Sequence, residues 1–117
     1  MKDLQTFYKP RGISSFQLVS RVRRLIGEKK IGHGGTLDPL AEGLMILGIG
    51  REGTKKLASV LNKEKKEYEA VFRLGAVSKT YDSEGPITKI SNDEFLIPKQ
   101  KIEETLNKFI GEIEQIP

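Results

Sequence analysis

The chain has 117 residues, 37% hydrophobic and 31% charged, with a formal net charge of +4; that length fits one domain or part of one and excludes a multidomain machine. Cysteine is absent and histidine occurs once, which excludes a disulfide framework, a thiolate metal site, a thiol nucleophile and a His-rich centre. No apolar run reaches the roughly 18 residues a membrane helix needs, and Met1-Lys2-Asp3-Leu4 lacks a signal pattern, so the chain reads as soluble and cytosolic, with a thin core.

The elements follow in order. Gln5-Thr6-Phe7-Tyr8 is a short apolar start ended by Pro10 and Gly12. Ser14-Ser15 predicts a helix N-cap. Phe16, Val19, Val22 and Leu25–Ile26 then fall at helical spacing, Gly27 closes the helix, and Arg21, Arg23, Arg24 and Glu28 form its basic outer stripe. Residues 32–43 hold four glycines and Asp38-Pro39 and read as irregular. Leu44 to Ile49 reads as a buried strand. Thr54 is expected to cap a second helix that buries Leu57, Val60 and Leu61.

Lys63 to Glu67 reads as a solvated connector. Tyr68 to Leu74 alternates, with Tyr68, Ala70, Phe72 and Leu74 on one face, which predicts a strand and an inward-facing Tyr68 ring. Residues 75–86 read as a polar loop and Ile87 to Ile90 as a brief strand. Leu96-Ile97-Pro98 opens a third helix with an apolar stripe of Ile102, Leu106, Phe109 and Ile110, ended by Gly111. Glu112 to Pro117 alternates like a strand without a neighbour, which suggests part of a longer domain. The irregular alternation of elements, with hairpin-like pairs, predicts an α+β fold with a mixed, mostly antiparallel sheet flanked by helices, incomplete within this chain.

Charge is uneven. Residues 1–67 carry 14 Lys and Arg against 7 Asp and Glu, and residues 68–117 carry 6 against 9. A basic first half suits a polyanion such as nucleic acid. Arg11, Arg21, Arg23, Arg24, Lys29, Lys30, Lys55 and Lys56 flank the Gly-rich stretch as a candidate RNA track, though each alone reads as a solvated charge.

The most informative stretch is Ile31-Gly32-His33-Gly34-Gly35-Thr36-Leu37-Asp38-Pro39-Leu40-Ala41-Glu42-Gly43. Its glycines permit positive φ and close ligand approach, leaving His33 and Asp38 as the reactive side chains. Three readings are open on the residues alone. The loop cradles phosphate, although it lacks the Gly-Lys-Ser/Thr ending of a P-loop. His33 and Asp38 ligate a metal, with no further His or Cys to help. Or the stretch is a structural glycine turn in which Asp38 caps a short helix through Leu40–Gly43.

Gly32 to Gly43 closely resembles the catalytic motif of the TruB family, the bacterial tRNA pseudouridine-55 synthases. Tyr8-Lys9-Pro10-Arg11-Gly12-Ile13-Ser14-Ser15 is similar to the family's entry motif. Gly53-Thr54-Lys55, Lys66-Glu67-Tyr68, Arg73-Leu74-Gly75, Thr80 to Gly85 and Gly111 to Pro117 match further family segments in order. The resemblance implies the N-terminal part of a pseudouridine synthase catalytic domain spanning residues 1–117, with the rest of that domain and an RNA-binding region beyond it. It implies isomerisation of a T-loop uridine of tRNA with no metal or organic cofactor. Asp38 would be the essential carboxylate, and Tyr68 would stack on the uracil. His33 would hold the flipped nucleotide or its loop, and Lys9 and Pro10 would support the catalytic loop. Asp82 matches an acidic position that pairs with an active-site arginine, or else closes a turn. The full-length form is expected to be a monomer. A different class of function, an RNA-binding or assembly module that keeps the Asp38 loop without turnover, is separated by whether pseudouridine forms. A nucleotide-binding protein using Gly34-Gly35 is the third reading.

Overall fold

A computed structural model describes residues 3–61, 63, 65–90 and 97–117. The chain divides into two compact units, Met1–Glu67 and Tyr68–Pro117.

The first unit contains β1 (Leu4–Lys9), α1 (Ser15–Ile26), β2 (Ile31–His33), β3 (Gly43–Ile49) and α2 (Gly50–Leu61). The strands form an antiparallel sheet in the order β1-β3-β2, with Tyr8 opposite Leu44 and His33 opposite Leu47. Alternation along β3 sends Met45, Leu47 and Ile49 to one face, where they pack with Leu18, Val19 and Val22 of α1 and with Ile31. The opposite face receives α2.

Close packing of α2 depends on missing side chains. A Cβ on Gly48 would sit 2.5 Å from the Gly53 carbonyl oxygen, and one on Gly34 would sit 2.8 Å from a Leu61 methyl. A Cβ on Gly32 would meet Leu57 at 3.0 Å. Two glycines that the sequence offers to a ligand are therefore occupied by helix packing.

Ser14 caps α1 as expected. Its hydroxyl accepts from the Gln17 N–H while the Gln17 side chain accepts from the Ser14 N–H, and Gly27 ends the helix in the left-handed conformation. The buried face differs from the expected stripe. Phe16 and Leu25 are 68% and 84% exposed, whereas Leu18 and Ser15 are buried. Spacing gives the period of an amphipathic helix, but the contact with Met45 and Leu47 sets which flank of the stripe goes inside. Arg23 also leaves the outer stripe: it is half-buried, and its Nη2 donates to the Ile31 carbonyl at 3.3 Å. Helix α2 begins four residues before the expected cap. Thr54 lies inside it, its hydroxyl donating to the Gly50 and Arg51 carbonyls. Of its apolar residues Leu57 is buried, and Val60 and Leu61 are half-buried.

The second unit holds β4 (Ala76–Ser78) paired antiparallel with β5 (Ile87–Lys89), and α3 (Lys99–Asn107). Residues 68–74 are irregular, and Tyr68 is 72% exposed, which corrects the expected strand and inward ring. A strand exists only with a pairing partner, and no described segment pairs with these residues. Pro98 stands at the N-cap of α3, and Leu96 lies outside the described residues. The helix stops at Asn107, short of Gly111, through tighter turns at Lys108 and Phe109. Of its stripe Ile102 is half-buried, while Leu106, Phe109 and Ile110 are exposed. Residues 113–117 form no strand. Among the described residues of this unit no side chain is buried.

The architecture is thus α+β with small antiparallel sheets and three helices. Among the described residues no helix is long and apolar enough to cross a membrane. Gly48→Ala is expected to destabilise the first unit by about 1–3 kcal/mol, because backbone rather than a flexible side chain opposes the new methyl; urea unfolding measures it, and an unchanged midpoint refutes this packing.

Candidate active site

The loop between β2 and β3 carries Asp38 and is held from outside by the segment after β1. Lys9 starts that arrangement. Its side chain is 0% exposed, and its ammonium donates to the carbonyls of Ile13 at 2.7 Å and Pro10 at 3.0 Å. Residues 10–13 are thereby wrapped around a buried charge. A buried ammonium is costly unless its protons find acceptors, so this turn has little freedom to open.

The wrapped segment grips the Asp38 loop by its backbone. Gly12 N–H donates to the Pro39 carbonyl at 2.7 Å, and Arg11 Nε donates to the Leu40 carbonyl at 3.0 Å. Ser15, 3% exposed at the start of α1, donates to the Leu37 carbonyl at 3.0 Å and is matched with the Leu37 N–H at 2.9 Å. Leu37 itself packs against the core. Within the loop, Ala41 N–H donates to the Asp38 carbonyl at 3.0 Å, closing a turn. Residues 40–43 make no helix, so the capping reading of Asp38 is corrected. The Asp38 side chain is exposed and makes no hydrogen bond among the described residues. Backbone on both sides is fixed while the carboxylate is left bare.

His33, at the end of β2, is also exposed. Its Nδ1 meets the Gly35 carbonyl at 2.9 Å. A carbonyl only accepts, so Nδ1 carries the proton, and Nε2 has no partner among the described residues. Beyond the loop, the Tyr8 hydroxyl donates to Glu42 Oε2 at 2.8 Å, tying β1 to the residue before β3. That hydrogen bond holds the proton on the Tyr8 phenol and raises its pKa above the ordinary value, with desolvation and the neighbouring negative charge acting in the same direction.

Lys9 and the Asp38 loop are therefore parts of one hydrogen-bonded assembly, with His33 at the start of that loop. Arg11, Ser15, Tyr8 and Glu42 also belong to it, and their roles were not singled out by the sequence. The available signal for Ser15 was its place beside the cap: a serine at the first helical position facing the core needs a partner off its own helix.

Tyr68 and Asp82 belong to the second unit. Asp82 Oδ1 accepts from the Thr80 hydroxyl at 2.6 Å and the Glu84 N–H at 2.9 Å, and Thr80 Oγ1 accepts from the Gly85 N–H at 3.0 Å. These bonds, the Thr80 hydroxyl first, hold the Asp82 carboxyl below its ordinary pKa. The turn role of Asp82 is thus occupied. Among the described residues, no group of three His, Asp or Glu side chains is placed to hold a metal ion.

Residues 23–117 match the family model described as TruB family pseudouridylate synthase (N terminal domain). Curated relatives include tRNA pseudouridine synthase B of Fusobacterium nucleatum, 42% identical over 117 residues, and of Clostridium novyi, 44% identical over 117 residues; each alignment covers 100% of this chain and 39% of the relative. The same enzyme of Chlamydia muridarum is 44% identical over 109 residues, covering 93% of this chain and 44% of the relative. The chain belongs to the TruB family of pseudouridylate synthases. It spans about two-fifths of the length of those relatives.

Two outcomes test the geometry. Ser15→Ala orphans both polar groups of Leu37, with an expected loss of about 1–3 kcal/mol and faster amide exchange at Leu37; exchange equal to the parent's refutes the clamp. Thr80→Val is expected to raise the Asp82 carboxyl toward its ordinary value in an NMR titration, and an unmoved midpoint removes Thr80 as the cause. The sign follows from linkage: a depressed carboxyl stabilises the turn above its unfolded pKa, and that stabilisation is lost as pH falls through the folded one.

Proposed function

We propose that this chain is the catalytic-loop part of a tRNA pseudouridine synthase, in which Asp38 is the essential carboxylate that isomerises a T-loop uridine. Residues 1–117 form the N-terminal portion of the catalytic domain, and the remainder of the enzyme completes the pocket and the RNA-binding region. The full-length enzyme acts as a monomer in the cytoplasm.

The observation that carries this reading is the bare Asp38 carboxylate on a loop whose backbone is gripped at Leu37, Pro39 and Leu40. Isomerisation of uridine breaks the N1–C1′ bond and forms a C5–C1′ bond. The proton leaving C5 is balanced by one gained at N1, so the reaction needs no oxidant or added group. What it needs is an oxygen base or nucleophile held still beside the sugar or the ring. A fixed backbone with an unengaged carboxylate supplies that, since no internal hydrogen bond has to be broken first.

Reaching C1′ or C6 requires the base to leave its stack, at a cost of a few kcal/mol. Tyr68 offsets part of that cost by stacking on the extruded uracil. Its exposure in this chain leaves the ring face available to such a partner. His33 holds the flipped nucleotide or the loop it leaves. Lys9 acts through the 10–13 turn rather than on the substrate. Asp82 orders its turn and meets a cationic side chain from the completing segment.

The test is pseudouridine formation in a T-loop RNA by the full-length enzyme. Asp38→Asn is expected to lower turnover by at least about 100-fold with RNA affinity retained. Product formed at the parental rate by that variant overturns the assignment, and RNA binding without turnover by the parent favours a binding module.

A further inference from the structure

The sequence presents eight cations near the Gly-rich stretch as equals; the fold separates them. Arg11 is positioned by the Leu40 carbonyl, and Lys56 is paired with Asp3 at 2.9 Å. Lys55 on α2 is exposed and forms no ion pair among the described residues, and neither do the exposed Arg21, Arg24, Lys29 and Lys30. These four lie within ten residues of chain, with Glu28 as the single acid among them. Glu28 is turned back onto the Lys30 N–H at 3.0 Å.

An open groove of about 460 Å³ lies at the C-terminal end of α1, lined by Arg23, Arg24, Gly27, Glu28 and Lys29. Arg23 reaches the Ile31 carbonyl through Nη2, while its buried Nε meets no acceptor among the described residues. Among the described residues no carboxylate pairs with its guanidinium. Cations in the last turn complement the helix dipole, which accounts for Arg23 and Arg24. That effect fades within a turn and does not account for Lys29 and Lys30, which follow the Gly27 cap. From Lys30, β2 reaches His33 in three residues, about 10 Å at the usual rise. The groove is therefore built just before the strand that leads into the Asp38 loop.

We propose that this groove is a docking surface for the phosphodiester backbone of RNA, contacted by Arg24 and Lys29 over the guanidinium of Arg23. The identity of the polyanion rests on the enzymatic reading above. Contacts of this kind fix register and orientation without reading bases. They place the stem beside α1 so that the loop nucleotide meets Asp38.

The experiment uses the full-length protein, a fluorescent RNA hairpin bearing the T-loop, and the variant Arg24→Gln/Lys29→Gln. Lys101→Gln/Lys108→Gln, on exposed residues of the other unit, is the control of equal charge. Loss of two phosphate contacts is expected to flatten the log–log salt dependence of binding by roughly 1.4–1.8. KM for the RNA rises several-fold while kcat holds, and the thermal midpoint stays with that of the parent. An affinity and salt slope equal to the control's overturn the groove. Binding of polyglutamate that equals RNA binding, with the same dependence on Arg24 and Lys29, makes it a protein-docking surface and overturns the RNA assignment. If the parent binds RNA through the groove but makes no pseudouridine, the groove stands and the enzymatic reading falls.

Discussion

The first unit depends on a buried ammonium group that organises backbone rather than pairing with an acid. Lys9 sits at the end of β1 with its charge satisfied by the Pro10 and Ile13 carbonyls. Opening that turn would strand a charge in the interior, a far larger penalty than losing one neutral hydrogen bond. The turn is consequently a firm platform, and Gly12 and Arg11 project from it onto the next loop. Rigidity is passed along largely through main-chain atoms of the loop, which leave the Asp38 side chain out of the bracing.

Ser15 completes the brace from the other side. Its hydroxyl both donates and accepts, so one small group satisfies both polar atoms of Leu37. Leu37 packs against the α1 face of the sheet, while Gly32 and Gly34 let α2 close on the opposite face. The loop carrying Asp38 thus emerges from a layer packed on both sides. Precision at the tip comes from this support, because an exposed carboxylate without partners has no means of fixing itself.

The two units contrast in how they use apolar residues. In the first, eight hydrophobic side chains are buried around a single three-stranded sheet. In the second, Phe72, Leu74, Ile87, Leu106 and Phe109 all remain exposed. Two short strands and one helix cannot cover such a surface, since a stable layer needs a second layer to bury it. Electrostatics divide along the same boundary, with the basic groove at the end of α1 in the unit that holds Asp38.

Much was legible in the sequence where local chemistry decides. Ser14 and Gly27 specified both ends of α1, and the apolar run at 44–49 specified β3. The motif from Gly32 to Gly43 pointed to the family. What the sequence left open depended on partners distant along the chain. The start of α2 at Gly50 follows from strand pairing that delivers the chain there, and the inner flank of α1 follows from the side chains of β3. Alternation at 68–74 states which residues would share a face but supplies no neighbouring strand. Periodicity and caps are properties of adjacent residues and can be read in order. Which glycine yields to a helix, which serine clamps a loop and which arginine stays free are set by groups that only folding brings together.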